Sequence, residues 1–101
     1  MTSVVAYVPD LMDRSRFAAV DGITFVGRPQ DLFTRGDDDV VHVADLGRPG
    51  VLDAIEGAPE GSRVVGYASH VDRDLIARAE ALGVDVHPRS RFFAQLTSLL
   101  A

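Results

Sequence analysis

The sequence contains no cysteine, no lysine, no internal repeat or low-complexity tract, and no long apolar run. Without cysteine there is neither a disulfide framework nor a thiolate zinc site, thiol redox chemistry is excluded, and the composition suits a reducing cytosol. No stretch approaches the roughly 18 apolar residues of a membrane helix, and the residues from Met1 to Ala6 lack the basic flank of an export signal. A cytoplasmic protein with no membrane partner is therefore expected. With no linker in 101 residues of which 47% are hydrophobic, the expected organisation is a single domain spanning 1–101, large enough for one core and too small for two. All ten cations are arginine, and fifteen acids outnumber them to give a net charge of -5. That balance disfavours non-specific attraction to nucleic acid or to anionic lipid.

What is present is a repeated alternation of strand, turn and helix. Five short apolar runs, Val4–Val8, Ile23–Val26, Val40–Ala44, Val64–Tyr67 and Val84–His87, are each bounded by Gly, Pro or Asp. The first four are mostly continuous rather than alternating, the pattern of parallel strands covered on both faces. Between them lie helical patterns. Leu11 to Val20 follows Asp10, a candidate N-cap, with Asp13 in the first turn. Gln30 to Phe33 makes a very short second helix and Gly50 to Ile55 a short third. Val71 to Leu82 places Val71, Leu75, Ile76, Ala79 and Leu82 on one stripe, begins after Ser69 with Asp72 three residues on, and stops at Gly83. Ser90 is read as the cap of a last helix whose apolar face carries Phe92, Phe93, Leu96, Leu99 and Leu100. The charge run from Arg35 to Asp39 is read as a solvated turn into the third strand.

Five strands alternating with helices imply right-handed crossovers and a doubly wound parallel sheet. At this length the expected strand order is 2-1-3-4-5, with its switch point between strands one and three. The carboxyl ends of the strands then meet at one edge, bringing together Asp10, Asp45, Ser69, His70 and the segment from Arg89 to Arg91.

The order of elements, together with Asp45-Leu46-Gly47-Arg48-Pro49-Gly50, resembles the receiver domains of two-component response regulators. The resemblance spans Val4 to Leu100 with helix two much abbreviated, and it implies a flavodoxin-like three-layer α/β sandwich. It further implies a stand-alone signalling protein without an output domain or enzymatic activity of its own. Its partner would be a kinase or a regulatory target, and its phosphoacceptor Asp45. In that family an acidic pair after strand one, the phosphoacceptor and a backbone carbonyl two residues beyond it hold Mg2+; here the positions are Pro9-Asp10, Asp45 and Gly47. One carboxylate is thus replaced by proline, which weakens a hard-cation site. The hydroxyl expected at the end of strand four falls on Ala68, with Ser69 displaced by one residue and so aimed to the other side of a strand. The lysine expected after strand five falls on Ser90, between Arg89 and Arg91, and an arginine fork does not replace an ammonium neutrally. The aromatic switch position falls on His87. The resemblance therefore implies a degenerate phosphorylation site.

The residues read on their own leave other roles open. Asp45 can accept the amides of its own turn, and Pro49 can start the next helix. Asp10 can be a helix cap rather than a ligand, His42 a satisfied core residue, and His87 a satisfied strand residue or a group that answers to pH. Arg89 and Arg91 beside Ser90 suit an anion, which keeps a phosphate or nucleotide sensor in view. A metal-assisted hydrolase using Asp10, Asp45 and His70 or His87 at the same crevice is the other alternative. The apolar face of the last helix could serve the core alone or also a homodimer.

Overall fold

A computed structural model describes residues 3–34 and 39–100; residues 35–38 of the charge run fall outside them. The elements in order are β1 (Ser3–Tyr7), α1 (Leu11–Ser15), β2 (Ile23–Phe25), a 3-10 segment (Pro29–Phe33), β3 (Val40–Asp45), α2 (Val51–Glu56), β4 (Arg63–Ala68), α3 (Arg73–Ala81), β5 (Asp85–Pro88), α4 (Arg89–Ala94) and α5 (Leu96–Leu99). The strands form one parallel sheet in the order β2-β1-β3-β4-β5. This is the flavodoxin-like α/β arrangement expected from the alternation of strand and helix. Among the described residues no helix is long and apolar enough to cross a membrane.

The continuous apolar runs are explained by the sheet's two covered faces. In β3, Val40 and Ala44 point into a core shared with the 3-10 segment, α2 and α3, where Leu32, Leu46, Val51, Leu52, Ile55 and Ala79 meet. Val41 and Val43 point the other way, into a core with Phe17, Val65, Tyr67, Phe92 and Leu96 beneath α1, α4 and α5. Successive strand residues face opposite sides, so a strand buried on both is apolar along nearly its whole length, with a polar residue such as His42 tolerated where it finds a hydrogen-bond partner. The second core is aromatic. Phe17 makes edge contacts with Phe25 and Phe93 at centroid distances of 5.7 Å, and Tyr67 lies tilted on Phe92 at 4.8 Å. The apolar face of the last helix is thus taken up by its own domain, and Arg63 Nη2 donates to the Leu99 carbonyl at 2.9 Å.

Helix boundaries depart from the periodic reading in physically interpretable ways. Asp10 caps α1, its Oδ1 accepting from the amides of Met12 and Asp13 at 2.8 and 3.2 Å. Beyond Ser15 the chain tightens into turns with Phe17 N to Arg14 O, Ala18 N to Ser15 O and Val20 N to Phe17 O bonds. The helix does not run on to Val20; that tightening brings buried Phe17 down among the rings. Ser69 does not cap α3. The chain leaves β4 through a turn closed by Asp72 N–H to the Ser69 carbonyl at 3.0 Å, the helix starts at Arg73, and Val71 is left 72% exposed instead of joining the core. The stop at Gly83 is as expected: Val84 N–H reaches Ala79 O and Gly83 N–H reaches Glu80 O, a Schellman closure with Gly83 at φ 87°. Ser90 is not a cap either, because α4 begins at Arg89 directly after Pro88. The last helix breaks at Gln95 (φ -118°, ψ 22°) into α4 and α5.

Gly66 in β4 is required by close approach. A Cβ placed there would meet three side-chain carbons of Leu46 at 2.6 to 2.7 Å. Leu46 is held over it, buried, by the hydrogen bond that its backbone N–H donates to the Tyr67 carbonyl at 3.0 Å. Gly66→Ala should destabilise the fold by about 1–3 kcal/mol, the usual cost of overpacking. Chemical denaturation should show this loss, partly recovered in the double variant with Leu46→Val; an unchanged midpoint would refute the contact.

His42 is the buried histidine of β3. Its Nδ1 lies 2.8 Å from the Leu32 carbonyl, so Nδ1 carries the proton and donates, and its ring lies 4.5 Å from that of Phe33. Burial lowers its pKa below the ordinary imidazole value of 6.5, with the carbonyl bond opposing. A folded-state pKa below the unfolded one gives stability that is full above the unfolded value and lost as pH falls through the folded one. Unfolding free energy should therefore drop as pH falls below about 6.5, and this slope should vanish in His42→Phe.

Candidate functional site

The carboxyl ends of the strands converge as the topology requires, and two arginine–carboxylate groups occupy the edge. The first is built on β3. Asp45 closes the strand with a side chain only 16% exposed, and both of its oxygens are engaged locally. Oδ1 lies 3.4 Å from the Gly47 amide and Oδ2 accepts from Arg48 Nε at 3.2 Å. The hydrogen bond that Arg48 donates to Asp45 is the largest influence holding the guanidinium protonated, and the charge of Asp10 adds to it. Arg48 thus presents its positive charge to the two carboxylates that the family resemblance assigns to Mg2+. Asp10 itself is engaged at Oδ1 by the first amides of α1. With one carboxylate bound to helix amides, the other to a guanidinium and Pro9 in place of a third, the residues do not fit a hard divalent cation. Among the described residues no group of three or more His, Asp or Glu side chains is arranged to hold a metal.

The second group lies across the crevice and is built from α1, β4 and α4. Asp13, 2% exposed, receives a bidentate pair of bonds from Arg89: Nη1 to Oδ2 at 2.6 Å, and Nη2 to Oδ1. The Tyr67 hydroxyl donates to the same Oδ2 at 3.4 Å. The guanidinium also stands 5.7 Å from the Tyr67 ring and 5.4 Å from that of Phe93. Arg89 holds the Asp13 carboxyl below its usual range despite the opposing effect of burial. Burial, and after it the charges of Asp45 and Asp13, push the Tyr67 hydroxyl far above its usual value. Tyr67 is also the strand partner of Asp45, so the two groups share one electrostatic neighbourhood.

The expected site residues divide accordingly. Asp10, Asp45 and Gly47 are brought together around Arg48. Arg89 is not an open anion clamp: its fork is filled by Asp13, whose geometry suits it bidentately. Ser69, Ser90 and Arg91 are exposed at the same edge, as is His70. His87 is half-buried on β5 beside Tyr67; Asp85 Oδ1 lies 3.0 Å from its Nε2 but off the bonding direction, leaving that nitrogen without a hydrogen bond.

Reasoning from sequence missed Asp13, which reads simply as an acid in a first helical turn. One signal was available: Asp13 and Phe17 are four apart, on one face of the helix that the sequence predicts from Leu11 to Val20, and an acid on the face of a large apolar ring needs a cation.

Breaking this pair should be costly in a specific direction. Arg89→Met leaves a buried carboxylate uncompensated and should cost toward the low end of the roughly 3–5 kcal/mol typical of a broken buried pair, because Arg89 is half exposed. The double variant Asp13→Leu with Arg89→Met should recover much of it. Since the folded pKa of Asp13 lies below the ordinary carboxyl value of 3.8, the pair's contribution is present above that pH and lost as pH falls through the depressed value. Acid denaturation of Asp13→Asn should lack this limb. Compared with protein-family models, with curated proteins and with solved structures, the chain matches none of them significantly.

Proposed function

We propose that this chain is a receiver-like regulatory domain that works through contacts with a protein partner, and that Asp45 has become a structural acid in it. The observation that carries the reading is the engagement of both Asp45 oxygens by its own turn, Gly47 N–H on one side and Arg48 on the other. The 2-1-3-4-5 sheet supports the receiver-like half of the proposal, because it sets Asp45 at the end of β3 where a phosphoacceptor would stand. A phosphoryl group there would have to displace Arg48 from Oδ2, and the potential partners around it are already used: Arg89 by Asp13, Asp10 by helix amides. Any residual switching would be limited to the difference in the phosphoryl group's contacts with two states of the β4–β5 side. The protein then acts by what it binds rather than by what it transfers.

Incubation with a small phosphodonor such as acetyl phosphate and Mg2+, followed by intact-mass analysis, tests this reading. Little mass gain is expected, both for the unaltered protein and for Asp45→Asn. Stoichiometric labelling that disappears in Asp45→Asn would overturn the structural role of Asp45 and restore the phosphoacceptor.

A further inference from the structure

The two ends of the sheet differ in charge and in shape. In the segments that follow the strands' carboxyl ends (8–16, 26–31, 45–50, 69–74 and 88–91) there are seven arginines and six acids, a net charge of +1. At the opposite edge, in 17–22, 39, 56–63 and 80–85, there are six acids and one arginine, a net charge of -5. The acids are equally many at the two edges, so the imbalance lies in the arginines, and the net negative charge falls on the second edge. Arg73 and Arg91 at the first edge have no acidic partner among the described residues, and neither has Glu60 at the second.

The large apolar side chains that the fold leaves outside also lie at one end. Leu11 and Met12, 76% and 80% exposed, begin α1 at the arginine-rich edge, and Val71, 72% exposed, stands on the β4–α3 turn of the same edge. At the acidic edge is a hollow of about 250 Å3 between the end of α2, the turn after it and the end of α3. Its apolar lining comes from Ala58, Pro59 and Leu82 with the almost fully buried Ile55 and Val64 at its floor, and Glu56 and Glu60 stand beside them. That volume is below the roughly 300–1,000 Å3 of ligand pockets and suits inserted side chains better than a whole small molecule.

We propose that the protein associates with itself head to tail. The Leu11–Met12 knob of one copy enters the Ala58, Pro59 and Leu82 hollow of the next, and the arginine-rich edge of the first meets the carboxylates of the second. Knob and hollow open from opposite edges of the sheet, so end-to-end contact joins them only in a heterologous sense, and such contacts propagate unless the rotation closes a ring. An end face of so small a domain buries little area, which places the association among weak, transient interfaces. Its charge component is screened by salt, with a Debye length of about 10 Å at 0.1 M and about 3 Å at 1 M. The last-helix face takes no part, being packed against the second core.

Sedimentation velocity from micromolar to millimolar protein tests the proposal. The weight-average sedimentation coefficient should rise with concentration at low salt and return toward the monomer value at about 1 M salt. Met12→Asp removes the knob and Glu60→Arg reverses the charge at the hollow; both positions are exposed, so circular dichroism should be unchanged. Each variant alone should stay monomeric. Their equimolar mixture retains one intact knob edge and one intact hollow, and should form a heterodimer and nothing larger. A wild-type protein that stays monomeric throughout overturns the proposal and leaves the knob edge to a different chain. An oligomer that neither substitution weakens overturns it too.

Discussion

The ion pair between Asp13 and Arg89 is the contact on which the crevice edge depends. It joins the first turn of α1 to the junction of β5 and α4, positions 76 residues apart in the chain, and Tyr67 of β4 closes it from below. An isolated carboxylate buried to 2% exposure would be costly to keep charged. The bidentate fork of Arg89, within cation–π reach of Tyr67 and Phe93, supplies the compensating charge while leaving part of the guanidinium to solvent. A lysine could not do this as well, since one ammonium cannot engage both carboxylate oxygens in a planar pair and lie flat on a ring.

The same logic recurs at Asp45. Each crevice carboxylate with a guanidinium neighbour has that guanidinium supplied by the chain itself, from a turn or from a helix start. In a doubly wound sheet this edge is where ligands are ordinarily taken up, because the loops there are free to vary while the strands hold their ends in place. Here internal pairs occupy it, which is why the geometry does not suit a hard metal ion. The exposed apolar residues of that edge, Leu11, Met12 and Val71, stand outside both pairs. They mark a surface that faces outward rather than a reactive pocket.

Strand order was legible in the alternation of strand and helix, which the rules for doubly wound sheets restrict to few orders, and the two apolar faces, the Asp10 cap and the Gly83 stop because each depends on strand periodicity or on neighbours within a few residues. The misplaced helix starts share one cause. At Ser69 and Ser90 the residue type favours a cap, yet the turn closing on Asp72 and the placement of Arg89 decided where the helix begins. Local propensity is a weak prior that tertiary context overrides. Val71 shows the consequence, since a residue on the helical stripe by spacing ends outside the helix and in solvent.

Hydrophobic spacing by itself determined the α/β architecture, and the turn after β3 determined that Asp45 would stand at the strand end. Only the tertiary structure decided what the polar residues do there. Arg89 reads as a candidate anion contact until the sheet brings it to Asp13, and Arg48 reads as a turn residue until it closes on Asp45. The physical reason is range. Apolar burial is non-directional and is encoded by period alone, whereas a carboxylate–guanidinium pair depends on distance and angle; for Asp45 and Arg48 these follow from how the turn closes, and for Asp13 and Arg89 they exist only once separate strands have been brought side by side.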